Sequence, residues 1–211
     1  MHAREYITSL FCLEEIKYFM HYSKVGHAIF IPCVNPDGVF ISQTQIPLYK
    51  ANYNGVDLNV NFDAQWGKGV QNVKVRGAEN YIGPFPFSEP ESMALRDFTL
   101  LRKPDMTISL HTKGEEIYYR FFQKPTELRR DYKLAQVISI FNGYPIKDIS
   151  GSVGGYKDWC IEKLKIPALT IEMGKDEFCH PLDGEEALSD IISKNLGITE
   201  EVIKGLIKYG Y

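Results

Sequence analysis

No hydrophobic run in this 211-residue sequence approaches the roughly 20 residues that a bilayer-spanning helix needs, so a membrane protein is not indicated. There is no basic block either. The 24 Lys and Arg against 27 Asp and Glu leave a net charge of -3, which gives no indication of nucleic-acid binding. Cysteine is scarce: Cys12, Cys33, Cys160 and Cys179 lie in or beside apolar segments, without CxxC spacing. They read as reduced core thiols of a cytosolic protein rather than as a disulfide framework. Met1 is followed at once by His, Arg and Glu, with no apolar h-region, so no secretory signal is read and a cytoplasmic location is expected. Internal repeats, low-complexity tracts and both Gly-rich nucleotide fingerprints are missing as well. What is present, with 44% hydrophobic residues, suffices for a single domain with a proper core over residues 1–211.

Hydrophobic periodicity orders that domain. Ile7 to Tyr22 has helical spacing. The run Ala28 to Val34 reads as a buried strand that stops at a turn, Asn35-Pro36-Asp37-Gly38. Residues 41 to 87 carry no sustained period and are expected to form a long functional loop region with short structured pieces. Ser88-Glu89-Pro90-Glu91 reads as a capping box opening a helix that runs to about Arg102. Met106 to His111 reads as a strand, Glu127 to Phe141 as a helix, and Gly155 to Leu164 as a shorter helix. Pro167 to Gly174 is another buried strand, and helix resumes from about Glu185 to Tyr209 with a break near Gly197. Strands alternating with helices predict an α/β fold, a three-layer α/β/α domain with a mixed central sheet.

The chemistry starts at residue 2. His2-Ala3-Arg4-Glu5 puts an imidazole and a carboxylate one turn apart, and His111 ends a strand about a hundred residues later. Two His and one carboxylate leave a fourth position open for water, the ligand set of a hydrolytic zinc site. Either signal alone arises easily by chance or as a satisfied structural histidine. Glu172 adds weight because it interrupts an apolar run, and a carboxylate there is expensive unless it is paired, neutral or close to a metal. A Glu at the strand's end, already in solvent, is the plain alternative; yet that end is where α/β sheets build their sites. Asp57, in Gly55-Val56-Asp57-Leu58-Asn59, is a candidate acceptor to fix the tautomer of a ligand imidazole. His21, His27 and His180 have no partner at ligand spacing and read as surface or structural.

These motifs, in this order from His2-Ala3-Arg4-Glu5 through Asn35-Pro36-Asp37-Gly38, Gly55 to Asn59 and His111 to Thr170-Ile171-Glu172-Met173-Gly174, resemble the zinc carboxypeptidases. Within that family the chain looks most like the bacterial γ-D-glutamyl-meso-diaminopimelate peptidases, through Asn59 to Ala64, Pro86 to Glu91, His111 to Glu115 and Gly155 to Trp159. The resemblance implies one Zn2+ held by His2, Glu5 and His111, with Glu172 as general base and later acid and Asp57 as the partner of His2. Arg4 matches an arginine near the scissile carbonyl, and Lys50 falls roughly where the family carries an oxyanion-stabilising arginine. Asn59, Tyr156 and Lys157 fall at substrate-binding positions. Three departures stand out. The family's Asn-Arg pair reads Asn59-Val60, which removes a bidentate carboxylate clamp. The tyrosine that covers bound substrate aligns near Ser150. Lys157 falls near the base of the side-chain pocket, where a cation would suit a carboxylate-bearing residue; an exposed lysine at a helix start is the alternative. The edge strands and helix that family domains carry before His-x-x-Glu have no counterpart in these residues.

The expected activity is therefore zinc-dependent hydrolysis of an amide bond in a peptide or muropeptide, at the γ-D-glutamyl-diaminopimelate linkage. Two alternatives stand beside it: a metallocarboxypeptidase that removes C-terminal residues, and an inactive fragment that binds cell-wall peptides. Oligomeric state is not legible.

Overall fold

The apolar spacing that begins at Ile7 folds as α1 (Ile7–Tyr22) in the computed structural model, which describes residues 1–77, 79–148 and 151–209. A 3-10 turn over Ala3–Glu5 precedes it. The Asn-Pro-Asp-Gly segment is not a free turn. Asn35 accepts a hydrogen bond from the Gly38 N–H and caps α2 (Pro36–Thr44), with Pro36 in the first turn, where its missing N–H costs nothing. Residues 45 to 89 then hold only a 3-10 turn at Leu58–Val60 and an isolated bridge between Val73 and Tyr81 among the described residues, in keeping with the long loop read there. α3 (Pro90–Arg102) starts one residue later than the capping-box reading placed it. Glu89 is the cap residue, and the Ser88 hydroxyl donates to the Glu89 carboxylate instead.

Four short strands follow: β1 (Thr107–His111), β2 (Glu116–Tyr118), β3 (Ile146–Lys147) and β4 (Ala168–Glu172). Between them lie α4 (Pro125–Asn142) and α5 (Tyr156–Trp159), which passes into a π turn over Cys160–Leu164. The chain ends in α6 (Gly184–Asn195) and α7 (Ile198–Tyr209), interrupted at Gly197, whose φ of +95° suits glycine. The sheet order is β1-β4-β2-β3. β1 is parallel to β4, β4 antiparallel to β2, and β2 parallel to β3, so the sheet is mixed as expected.

The period of two along β4 sorts the layers. Leu169 and Ile171 face one core with Ile7 and Phe11 of α1, Ile138 of α4, Ile191 of α6 and Val202 of α7. Ala168 faces the other core, with Leu95 of α3, Tyr156 and Trp159 of α5, and Phe62. Thr170 and Glu172 share the parity of Ala168, so Glu172 stands on the α5 side of the sheet, at the carboxyl end of its strand.

Two expectations fail. Ala28 to Val34 joins no ladder and bends at Pro32 and Val34, and Ile29 and Ile31 are exposed. The segment is separated from β1 by a cleft of about 480 Å³, lined by Ile29, Ile31 and Cys33 on one side and by Met106, Ile108 and Leu110 on the other. An apolar run becomes a strand only where a neighbour offers hydrogen bonds, and the cleft stands where that neighbour would be. The thiols also divide. Cys12 and Cys160 are buried and free as read, whereas Cys33 and Cys179 are exposed. Among the described residues, no helix is long and apolar enough to cross a membrane.

Candidate metal centre and active site

Three elements bring the site together. The 3-10 turn carries His2 and Glu5, and it is tied down by the Ala3 N–H donating to the Lys50 carbonyl at 3.1 Å. Asn35 holds the same end of the chain: its side-chain amide donates to the carbonyls of Met1 and Ala51, each at 3.0 Å. β1 delivers His111 at its last position, in register with Glu172 on β4. Because β1 and β4 are parallel, both side chains arrive at the same edge of the sheet.

The ligand-capable atoms converge. His2 Nδ1 lies 2.8 Å from Glu5 Oε1, His111 Nδ1 lies 2.8 Å from Glu5 Oε2, and the two Nδ1 atoms are 3.2 Å apart. These three side chains form a group in which one ligand atom from each lies within 4.8 Å of the others. Tetrahedral zinc ligands at about 2.0–2.1 Å from the metal sit about 3.3 Å from one another, so the observed triangle is close to the one a zinc ion needs. The imidazoles are turned for it. His2 directs Nε2 to Asp57 Oδ1 at 3.3 Å, which leaves Nδ1 free to face inward. His111 Nε2 is buried with no hydrogen-bond partner among the described residues, and its Nδ1 is the atom in the triangle. The donor set and its spacing fit a single divalent ion.

The electrostatics agree. Burial by itself lowers the pKa of His2, but Glu5 and then Asp57 overcome it and hold the imidazole at about 9. His111 is lowered to about 4 by burial, against the pull of Glu5. Burial raises Glu5, yet His2 and His111 outweigh it and keep the carboxyl well below its usual range. Asp57 is fully buried; burial raises it, and His2 followed by Lys50 brings it below the ordinary carboxylate range. The carboxylate of Glu5 thus stays charged between the two imidazoles, as a ligand for a cation must. Glu172 behaves differently. Burial first and the charge of Glu5 next raise it to about 8, with Glu116 adding to the rise.

The remaining candidates divide. Lys50 belongs to the cluster, with Nζ 3.1 Å from Asp57 Oδ2 and bonded to Asn80 Oδ1 at 2.9 Å. Arg4 turns its Nη1 outward to Glu79 at 2.5 Å, while its Nε is buried and unpartnered among the described residues. Asn59 donates its backbone N–H to Asp57 Oδ1 at 3.0 Å. Lys157 commits its ammonium to Asp158 at 2.6 Å and to the Arg120 carbonyl at 3.2 Å. Tyr156 is buried in the second core with its hydroxyl 2.8 Å from that of Thr99, and it lines the same cleft as His2, Glu5 and His111. Ser150 lies outside the described residues. Two participants had no role in the sequence reading. Asn35 could have been found as an N-cap before Pro-Asp-Gly. His180, read as surface or structural, borders the site: it is half-buried, and the charges acting on it come from Glu5, Arg4, Lys113 and His2.

A family model described as zinc carboxypeptidase matches residues 1–191. The chain belongs to the zinc carboxypeptidase family. It is 32% identical over 165 residues to a γ-D-glutamyl-L-diamino acid endopeptidase of Lysinibacillus sphaericus, covering 68% of this chain and 41% of that one. It thus spans less than half the length of that curated relative. Bovine thrombin-activatable fibrinolysis inhibitor, solved with a tick carboxypeptidase inhibitor, superposes with a TM-score of 0.83 at 22% identity, over 99% of this chain and 80% of that one. Murein-tripeptide amidase MpaA from Escherichia coli O157 superposes with a TM-score of 0.59 at 22% identity, over 96% of this chain and 77% of that one. At these identities the two solved structures carry the fold.

Proposed function

We propose that residues 1–211 form the catalytic domain of a metallopeptidase that cuts an amide bond in cell-wall peptides, at the γ-D-glutamyl-diaminopimelate linkage. The observation that carries this reading is the triangle of His2 Nδ1, Glu5 and His111 Nδ1, with Glu172 in register beside His111. His2, Glu5 and His111 would hold one zinc ion, which supplies Lewis acidity and an acidified water there. Glu172 takes a proton from the attacking water on its carboxylate and returns it to the leaving nitrogen. Burial and the charge of Glu5 raise its pKa and favour the protonated form that serves as acid, and a cation held by Glu5 would oppose that rise and favour the carboxylate that serves as base. Lys50 supplies a fixed positive charge for the developing oxyanion. Asp57 keeps His2 in the tautomer that presents Nδ1.

The choice of substrate rests on the Lysinibacillus relative, whose name specifies a γ-D-glutamyl-L-diamino acid bond. Val60 also bears on it. It is buried, and by the family resemblance it takes the place of the arginine that grips a C-terminal carboxylate, so a simple carboxypeptidase is disfavoured. The test is hydrolysis of L-Ala-γ-D-Glu-meso-diaminopimelate by the zinc-loaded chain, set against an N-blocked dipeptide. Cleavage of the first and loss of that activity in Glu172→Gln are expected. Preference for the dipeptide would make it a carboxypeptidase. Full activity in Glu172→Gln would remove the mechanism.

A further inference from the structure

The sheet face that carries Glu172 continues away from the metal ligands. Glu116 lies opposite Glu172 across the β2–β4 ladder, and Tyr118 lies opposite both Thr170 and, on β3, Lys147. Ile117 and Ile171, between these positions, point into the first core, so Glu116 and Tyr118 stand on the same face as Glu172. Glu116 Oε2 accepts a hydrogen bond from the Tyr118 hydroxyl at 2.5 Å, and Oε1 lies 3.4 Å from Lys147 Nζ. The carboxylate is 27% exposed and the lysine 49%. The base is therefore flanked by a second carboxylate that Tyr118 aims and that, among the described residues, a loose, half-exposed ammonium balances. That placement is unfavourable for the base, because two carboxylates side by side repel. The cations farther along are committed elsewhere: Lys157 to Asp158, and Arg120 to Asp148 at 3.4 Å.

We infer that Glu116 and Lys147 read the far end of the diamino acid in the substrate: Glu116 accepts hydrogen bonds from the distal ammonium, and Lys147 pairs with the carboxylate on the same carbon. The inference rests on the proposed γ-D-glutamyl-diamino acid specificity and assigns it to residues. The dimensions agree. Glu172 must reach the leaving nitrogen, and directly opposed residues on antiparallel strands have Cα atoms about 5 Å apart. The four C–C bonds that separate the two stereocentres of diaminopimelate, each about 1.5 Å, span about 5 Å when extended. A zwitterion at that distance meets one carboxylate and one ammonium, opposite in sign to its own two groups.

Three tripeptides, L-Ala-γ-D-Glu-X with X as meso-diaminopimelate, L-lysine or L-norleucine, test this on the zinc-loaded full chain. For the wild type, kcat/KM should fall in that order. Glu116→Gln should lower kcat/KM for the diaminopimelate and lysine peptides about 10- to 100-fold more than for the norleucine peptide, since only the first two offer an ammonium while any effect through Glu172 falls on all three alike. Lys147→Met, at an exposed position that tolerates change, should lower only the diaminopimelate peptide. Equal losses on all three peptides in Glu116→Gln would mean that Glu116 acts through Glu172 and would overturn the inference. So would wild-type rates that do not distinguish lysine from norleucine. Failure of the wild type to cut any of the three would instead refute the proposed specificity, and the assignment of Glu116 with it.

Discussion

Loading the site with zinc should expel about one proton near pH 7.5, and that proton should come from His2. In the metal-free site His2 titrates at about 9, His111 at about 4, and Glu5 well below its ordinary range. At pH 7.5 the cluster is thus an imidazolium, a neutral imidazole and a carboxylate, and His2 Nδ1 cannot bind a metal until its proton leaves. Each pH unit below 9 then costs about 1.4 kcal/mol, or tenfold in affinity. Between pH 6.5 and 8.5 the apparent zinc affinity should rise about a hundredfold. Titration calorimetry in buffers of different ionisation enthalpy counts the proton directly. Glu172→Gln is the protein to use, because Glu172 itself titrates at about 8 and would add to the count. The sign for the metal-free fold follows from the same shifts. His2, raised from 6.5, stabilises the fold below that pH and loses its contribution as pH climbs through 9. His111, lowered from 6.5, costs stability as pH falls toward 4. A zinc affinity that does not change from pH 6.5 to 8.5, with no proton released, would refute the charge state drawn here.

Two further outcomes follow from the same geometry. Asp57→Asn keeps the shape but removes the charge that His2 Nε2 faces, and zinc affinity measured by competition with a chromogenic chelator should fall about 10- to 100-fold. Of the four thiols, Cys33 and Cys179 should react with a thiol-specific disulfide reagent in the folded protein. Cys12 and Cys160, which burial pushes up to about 11 and about 12, should react only after denaturation.

Legibility in the sequence followed the reach of the interactions. α1, α3 and the β1 and β4 strands were readable because hydrophobic period and caps are local, whereas His2, Glu5, His111 and Glu172 stood out as candidates only together, since the two imidazole signals are weak alone and the cost of an unpaired carboxylate in an apolar run argues for Glu172. β2 and β3 were missed. At three and two residues they are too short for alternation to register, and they exist because β4 offers them an edge. Glu116 went unnoticed for the same reason: its place beside Glu172 is a fact of register, not of composition. Tyr156 and Lys157 illustrate the converse. The resemblance placed them at substrate-binding positions, and the packing of Tyr156 and the ion pair of Lys157 with Asp158 are facts of tertiary structure that no sequence spacing carries.

Ala28 to Val34 shows how a correct local reading produces a wrong element, and it has a consequence of its own. The segment has the composition of a strand, yet it bends at Pro32 and Val34, joins no ladder, and meets the outer edge of β1 only across a cleft. An unpaired, apolar strand edge is a template for another chain, and Ile29 at 57% exposure and Ile31 at 43% give it a hydrophobic lining. For residues 1–211 as a polypeptide on their own, the expected result is concentration-dependent self-association through this edge, visible as a mass that rises with loading in light scattering. Ile31→Lys places a charge on the edge without touching the metal ligands and should shift the population toward monomer, as edge lysines do in natural sheets. If the wild type stays monomeric at every concentration, or Ile31→Lys associates as strongly as the wild type, the edge is not acting as a template and the cleft is closed in solution by some other arrangement.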